Sequence, residues 1–321
     1  MFFALAFLSL VIERLTGYPD WLFKRIGHPV TWIGSLIALL DKKWNRESAS
    51  FSQRKGAGVA ALGVFVGLTL FVAWLAQSVF LFMPFGLLLV AVLGASLPAQ
   101  KSLEQHVEAV ATALEREGVE GGRKAVSMIV GRDPQKLDEA AICRAAIESL
   151  AENFSDGIVA PAFWLGLLGL PGGAVYKAIN TADSMIGHRS PRHEAFGWAS
   201  ARLDDLVNLP ASRLSGGLFV IAAFFVKGAS PSGAMAAIRR DAHHHRSPNA
   251  GWPEAALAGA LGFALAGPRS YGGQMIEARF MGEGGRAALV AGDIRTALRL
   301  ARVADLLLIG LLGLLAILIA L

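Results

Sequence analysis

Three stretches of the chain set carboxylates, carboxamides and cations at helical spacing beside apolar sequence. The first is Glu148-Ser-Leu-Ala-Glu152-Asn153-Phe-Ser-Asp156-Gly157. Together with Arg144 it places charged residues four apart, which is one stripe of a helix. Three acids against one base, ending at an apolar segment, make a poor solvated face. The second is Tyr176-Lys177-Ala-Ile-Asn180-Thr181-Ala-Asp183-Ser184-Met-Ile-Gly187-His188-Arg189. The third is Ala201-Arg202-Leu-Asp204-Asp205-Leu-Val-Asn208-Leu-Pro210-Ala-Ser-Arg213. Each of these two pairs Asn with Asp three or four positions apart. Oxygen donors so spaced suit Mg²⁺, which takes one or two carboxylates and otherwise water and phosphate oxygens. Lys177, Arg189, Arg202 and Arg213 are the cations at hand for those phosphates. The competing reading is a set of polar contacts between helices.

A fourth cluster is Arg239-Arg240-Asp241-Ala-His243-His244-His245-Arg246-Ser247-Pro248-Asn249. Three consecutive histidines cannot share one helix face, and zinc on a helix prefers i, i+4 spacing. A phosphate-binding loop of Arg, His and Ser fits better, with a structural loop as the alternative. His28 precedes Pro29 early in the chain and reads equally as structural or functional. The single cysteine, Cys143, permits no intramolecular disulfide, and no catalytic cysteine signature surrounds it.

The elements that must position these residues are membrane helices. Hydrophobic residues make up 54% of the 321 and charged residues 17%, with a mean hydropathy of +0.49. Ordinary soluble domains carry roughly 25% charge. Gly56 to Gln100 contains no charged residue, enough for two spans of about 20 residues and a turn near Gln77–Pro84. Spans are expected near 2–19, 57–77, 79–98 and 304–321, with weaker apolar segments at 157–176, 214–226 and 255–268. The Pro and Gly breaks of 157–176 predict a re-entrant or bundle-buried segment rather than a plain span. Phe2–Ile12 lacks a basic leader and a small-residue cleavage site, so it is not read as a cleaved signal. Helices are expected over Ser102–Glu117 and Pro134–Asn153. With no alternating strand pattern, the class is all-α: a polytopic helical bundle in one membrane-embedded domain, with short or re-entrant helices.

The net charge of +5 is read as loops facing an anionic membrane surface. No basic stripe with interleaved aromatics points to nucleic acid. Residues 13–56 hold eight Lys and Arg, which predicts a cytoplasmic flank, with 101–156 on the same side. The polar clusters are expected to face the cytoplasm, and the carboxylates of Asp156, Asp183 and Asp204 to converge on one or two ions.

Several ordered elements resemble the adenosylcobinamide-phosphate synthase family of cobalamin biosynthesis. They are His28-Pro29-Val30-x-x-Ile33-Gly34, Ile129-Val-Gly131-Arg132-Asp133 and Glu148-x-x-Ala-Glu152-Asn153-x-x-Asp156-Gly157-x-x-Ala-Pro161. Tyr176-Lys177-x-x-Asn180-Thr181-x-Asp183-Ser184-Met185-x-Gly187, Ala201-Arg202-x-Asp204-Asp205-x-x-Asn208-x-Pro210-Ala-x-Arg213 and Ser247-Pro248-Asn249-Ala-Gly251 continue the match. Pro134 stands where the family pattern has Thr.

The resemblance implies an inner-membrane, multi-pass ligase. It would join aminopropanol or its phosphate to the free propionate of adenosylcobyric acid, with ATP as co-substrate and Mg²⁺. Other late cobalamin-assembly enzymes are implied as partners. Under that reading Glu148, Glu152, Asn153, Asp156, Asn180, Asp183, Asp204, Asp205 and Asn208 are candidates for the metal. Arg132, Arg189, Arg202, Arg213, Arg246 and Ser247 are candidates for phosphate or nucleotide. Lys177, with His28 or His243 as base, is assigned to catalysis. No Walker A motif is present. The rival readings are a Mg²⁺-dependent prenyl- or phosphatidyl-transferase, which would not use ATP, and a non-enzymatic membrane sensor or transporter.

Overall fold

Ser50 opens a 31-residue, largely apolar helix with a reciprocal cap. Its hydroxyl accepts the Gln53 N–H at 3.3 Å and Gln53 Oε1 accepts the Ser50 N–H at 2.9 Å. In the computed structural model, which describes residues 1–131, 134–267, 269–271, 274–276 and 279–321, the described residues are mostly helical. In order the helices are α1 (Phe2–Thr16), α2 (Asp20–Ile26), α3 (Pro29–Trp44), α4 (Phe51–Leu81), α5 (Gly86–Gly94), α6 (Gln100–Val126), α7 (Glu139–Phe154), α8 (Ala160–Ile186), α9 (Trp198–Val207), α10 (Leu209–Ala222), α11 (Pro231–Asp241), α12 (Gly251–Leu261) and α13 (Ala291–Ala320). A π-helical turn, Ser155–Val159, joins α7 to α8. Strands β1 (Leu265–Ala266) and β4 (Phe280–Met281) pair antiparallel, as do β2 (Arg269–Tyr271) and β3 (Gln274–Ile276).

Among the described residues, three helical runs are long and apolar enough to cross a membrane: Phe51–Leu81, Glu139–Ile186 and Ala291–Ala320. At 1.5 Å per residue, α4 spans roughly 46 Å, against about 30 Å of hydrocarbon. Its flanks bear exposed Val64, Leu68, Phe71, Trp74 and Leu75, the all-round apolar surface of a lipid-facing helix. The chain is therefore an all-α membrane protein.

Several boundaries differ from the expectations. The stretch 79–98 holds the last residues of α4 and the nine-residue α5, the latter roughly 14 Å of helix, because Pro84 and a left-handed Phe85 restart the chain late. The tail span 304–321 is the second half of α13, whose first half carries Arg295 and Arg302. The 2–19 span stops at Thr16, where Gly17 and Pro19 end the helix, and the segment Asp20–Trp44 is bent 104° from it. Helix α7 starts at Glu139 rather than Pro134, because the Asp138 carboxylate caps it by accepting the Ala141 N–H at 2.8 Å. The 157–176 stretch is helical, and 67% of the most apolar window of Glu139–Ile186 is buried.

The chain divides into two compact units. The first comprises Met1–Ala99, Ala160–Asn208 and Gly310–Leu321. There α8 is central, packed by α1, α3, α4, α5 and α9. Ala178, Ala182 and Ile186 of α8 meet Ile37, Leu40, Phe65 and Phe196 in its core. The second comprises Gln100–Val159 and Leu209–Ile309. Its alanine-rich α12 is almost wholly buried among α7, α10 and α11. In this unit Arg295 pairs with Glu108 and Glu115, and Arg302 with Glu104, tying the start of α13 to α6.

Candidate functional site

Helix α8 is really two helices in one run. Gly169 takes φ 71°, a conformation L side chains rarely adopt, and Pro171 restarts the helix in its first turn. The break exposes the Leu170 N–H, which donates to Gln77 Oε1 of α4 at 2.8 Å. A side chain at Gly169 would collide with that same oxygen. The second half of α8 turns Ala178, Ile179 and Ala182 into the core. Its other side offers Lys177, Asn180, Asp183 and Ser184, of which Lys177, Asn180 and Asp183 are half-buried and Ser184 exposed.

Opposite stands α9, carrying Asp204 and Asp205 and closed by Asn208. Asp204 is 8% exposed. Asn208 Nδ2 donates to Asp204 Oδ2 at 3.0 Å, and Asn180 Nδ2 reaches Asp204 Oδ1 at 3.4 Å. Tyr176 Oη donates to Asn208 Oδ1 at 2.8 Å. Burial, and then the charge of Asp183, push the Asp204 carboxyl up to about 7. Burial also raises Asp205, against Arg202 and Arg189; Arg202 Nη1 lies 3.7 Å from its carboxylate. Asp183, Asp204 and Asp205 thus act on one another electrostatically, and Lys177 acts on His28.

Among the described residues no group of three or more acid, histidine or cysteine side chains is placed to hold a metal on its own. The donor set matches the looser Mg²⁺ mode, one or two carboxylates with water and phosphate oxygens completing the shell. Asp183, Asp204 and Asp205 are the candidate donors, and Asp204 is held in place by two amides. Asn208 is committed at both ends of its carboxamide, so it supports the site rather than ligating.

His28 caps α3: its Nδ1 accepts the Val30 N–H at 3.2 Å, and its ring lies 4.3 Å from that of Tyr18. A neutral imidazole accepting at Nδ1 keeps its proton on Nε2, so this geometry suits a donor and not a base. The loop after α8 is held by a cluster outside the sequence-predicted set. Asp41 accepts from Arg192 at 2.8 and 3.2 Å and from Asn45 at 2.7 Å. Arg54 donates to Asn45 Oδ1 at 2.8 Å and to the Arg192 carbonyl.

In the second unit most candidates perform local duties. Glu148 Oε1 accepts the Ala266 N–H at 2.8 Å and secures β1, and Arg144 donates to the Ala287 carbonyl at 2.6 Å. Asn153 folds back onto the Ser149 carbonyl at 2.9 Å. Glu152 is exposed, and Asp156 is half-buried in the π-helical turn, a feature frequent at functional sites. Arg213 Nη1 is held by Ser212 Oγ at 2.9 Å, Asn249 Oδ1 at 3.1 Å and the Pro248 carbonyl at 3.1 Å. Its guanidinium lies 4.7 Å from the Trp252 ring, and His243 meets the same ring edge-on at 5.9 Å. Ser247 Oγ accepts the Asn249 and Ala250 N–H groups, a turn role, and Arg246 is exposed. Arg132 lies outside the described residues.

The comparisons agree with the motifs. A family model described as CobD/Cbib protein matches residues 6–301. The chain is 55% identical over 289 residues to a protein of Sinorhizobium sp named Cobalamin biosynthesis protein CobD, covering 89% of this chain and 90% of that one. Proteins of the same name from Rhizobium meliloti (strain 1021) and Rhodobacter capsulatus are each 52% identical, over 292 and 275 residues. These matches cover 90% and 84% of this chain and 89% and 83% of theirs. No solved structure matches. With the match running through every motif that builds the acid–amide cluster, the chain belongs to the CobD/CbiB family of cobalamin biosynthesis proteins.

Proposed function

We propose that the chain is an ATP-dependent amide ligase. It joins aminopropanol, as its O-phosphate, to the free propionate of adenosylcobyric acid and yields adenosylcobinamide phosphate. The observation that carries this reading is the cluster of Asp183, Asp204 and Asp205 braced by Asn180 and Asn208, in a chain of this family. A carboxylate is a poor acyl donor at neutral pH. Its oxygen attacks the γ-phosphorus of ATP, ADP leaves, and an acyl phosphate forms. The amine nitrogen then attacks that carbonyl, phosphate departs, and the nitrogen loses a proton. Bound Mg²⁺ would supply positive charge to offset that on the transferring phosphoryl group.

Within the first unit Lys177, Arg189 and Arg202 are assigned to phosphate oxygens; Arg189 and Arg202 act on Asp205 and Lys177 on His28. His28, with its proton on Nε2, is assigned as a hydrogen-bond donor. In the second unit Arg213 and His243 flank Trp252 and are assigned to an anionic group. ATP and a large polar corrinoid are handled from water, so the acid cluster is assigned to the cytoplasmic face of the inner membrane. Purified protein in detergent, given adenosylcobyric acid, aminopropanol phosphate, ATP and Mg²⁺, should form the amide, detected by mass spectrometry. Product that forms equally well without ATP, or no product under any combination, overturns the assignment.

A further inference from the structure

Tyr176 lies on the buried network of the first unit, yet none of the roles above uses it. Its side chain is 1% exposed, at the end of the apolar stretch of α8, and Asn208 is fully buried. Asn208 Nδ2 faces two acceptors, Asp204 Oδ2 at 3.0 Å and the Asp204 carbonyl at 3.2 Å. Only the nitrogen end of a carboxamide can face two acceptors. The Asn208 oxygen must therefore point at Tyr176, and the phenol must donate to it, at 2.8 Å. Among the described residues the other side-chain amide recorded on Asp204 is Asn180, at the long distance of 3.4 Å. Without the phenol, Asn208 Oδ1 loses its donor in a buried setting, and the amide gains by rotating or recruiting water. Either response removes the shorter N–H from Asp204 and frees the carboxylate to turn.

We propose that Tyr176 is a positioning residue: by holding the Asn208 carboxamide in one orientation, it sets the rotation of the Asp204 carboxylate. This rests on the reading of Asp204 as a working acid of the site. Groups that orient a ligand from behind typically change metal affinity or activity by tenfold or more.

The test measures Mn²⁺ binding by electron paramagnetic resonance and by the Mn²⁺-dependent rise in melting temperature, beside kcat and KM. Tyr176→Phe should weaken Mn²⁺ binding and lower kcat by about tenfold, with KM for the corrinoid unchanged. In an Asn208→Ala background the same substitution should have no further effect, because Tyr176 acts through that amide. Wild-type Mn²⁺ binding in Tyr176→Phe, or full additivity with Asn208→Ala, overturns the proposal. Should Tyr176→Phe fail to fold, Asn208→Ser breaks the same link from the other end and must show the same loss. Asp204→Asn separates the two layers. If it keeps both Mn²⁺ binding and turnover, the site reading fails; if it loses both while Tyr176→Phe does not, only the positioning role fails.

Discussion

Asp204 sits between two carboxamides and beside two other acids, and burial raises its proton affinity toward neutrality. Such crowding of like charge is what a cation would relieve. Asp183→Asn and Asp204→Asn are each expected to reduce ATP-dependent amide formation by on the order of a hundredfold or more. Both variants should remain folded in detergent, as checked by size-exclusion profile and product mass spectrometry. A second buried acid has a structural task. The Asp241 carboxylate accepts from Arg240 at 2.6 and 2.7 Å and from the Gly282 and Glu283 N–H groups at 2.8 and 3.2 Å. Burial works to raise its pKa, but the Arg240 and backbone hydrogen bonds outweigh it, and the folded-state value lies below 3.8. Its stabilisation is therefore present above the unfolded pKa and lost as pH falls through the folded one. Asp241→Asn should cost about 1.5–3 kcal/mol near pH 7, with the half-exposed Arg240 contributing the lesser part. The melting-temperature gap to wild type should narrow below about pH 4.

At the scale of elements, the break in α8 decides which way the site residues face. Gly169-Leu-Pro171-Gly-Gly announces a break in the sequence, but nothing along the chain says what satisfies the freed backbone. The partner is Gln77, 93 positions away in an apolar helix, where an unpaired N–H would have no water to turn to. Gln77→Leu should therefore destabilise the protein by about 1–3 kcal/mol in detergent melts although it makes the helix more apolar. Gly169→Ala should do at least as much, since it adds a strained φ and a collision with Gln77. Stability equal to wild type in Gln77→Leu would show that the break is satisfied some other way.

For the molecule as a whole, membrane embedding follows from α4 and the apolar half of α13. Orientation rests on charge: the loop between α3 and α4 and the ends of those helices hold Lys42, Lys43, Arg46, Arg54 and Lys55. By the positive-inside bias this loop is expected to face the cytoplasm. A cysteine placed at exposed Ser48, after Cys143→Ala, should be labelled by an impermeant maleimide only in inverted vesicles. The native thiol is fully buried, so its removal leaves a clean background. Labelling of intact cells would reverse the orientation.

Apolar runs, helix class, family motifs and the residues of the acid–amide cluster are all legible in the chain by itself, because hydropathy and i, i+3/i+4 spacing are local properties. Asn180, Asp183, Asp204 and Asp205 stand out for that reason. The division of labour among them is not local. Glu148 looks like a ligand until the Ala266 N–H takes its oxygen, and Asn208 until Tyr176 and Asp204 take both ends of its amide. Asp41 with Arg192, and Gln77 with Leu170, carry no spacing signal at all, since their partners lie on distant segments of the chain. Hydrogen bonds between distant segments depend on how helices pack, and a one-dimensional pattern holds no record of that. What each polar residue could do is written in its type; what it has left to do is decided by the partners that folding brings to it.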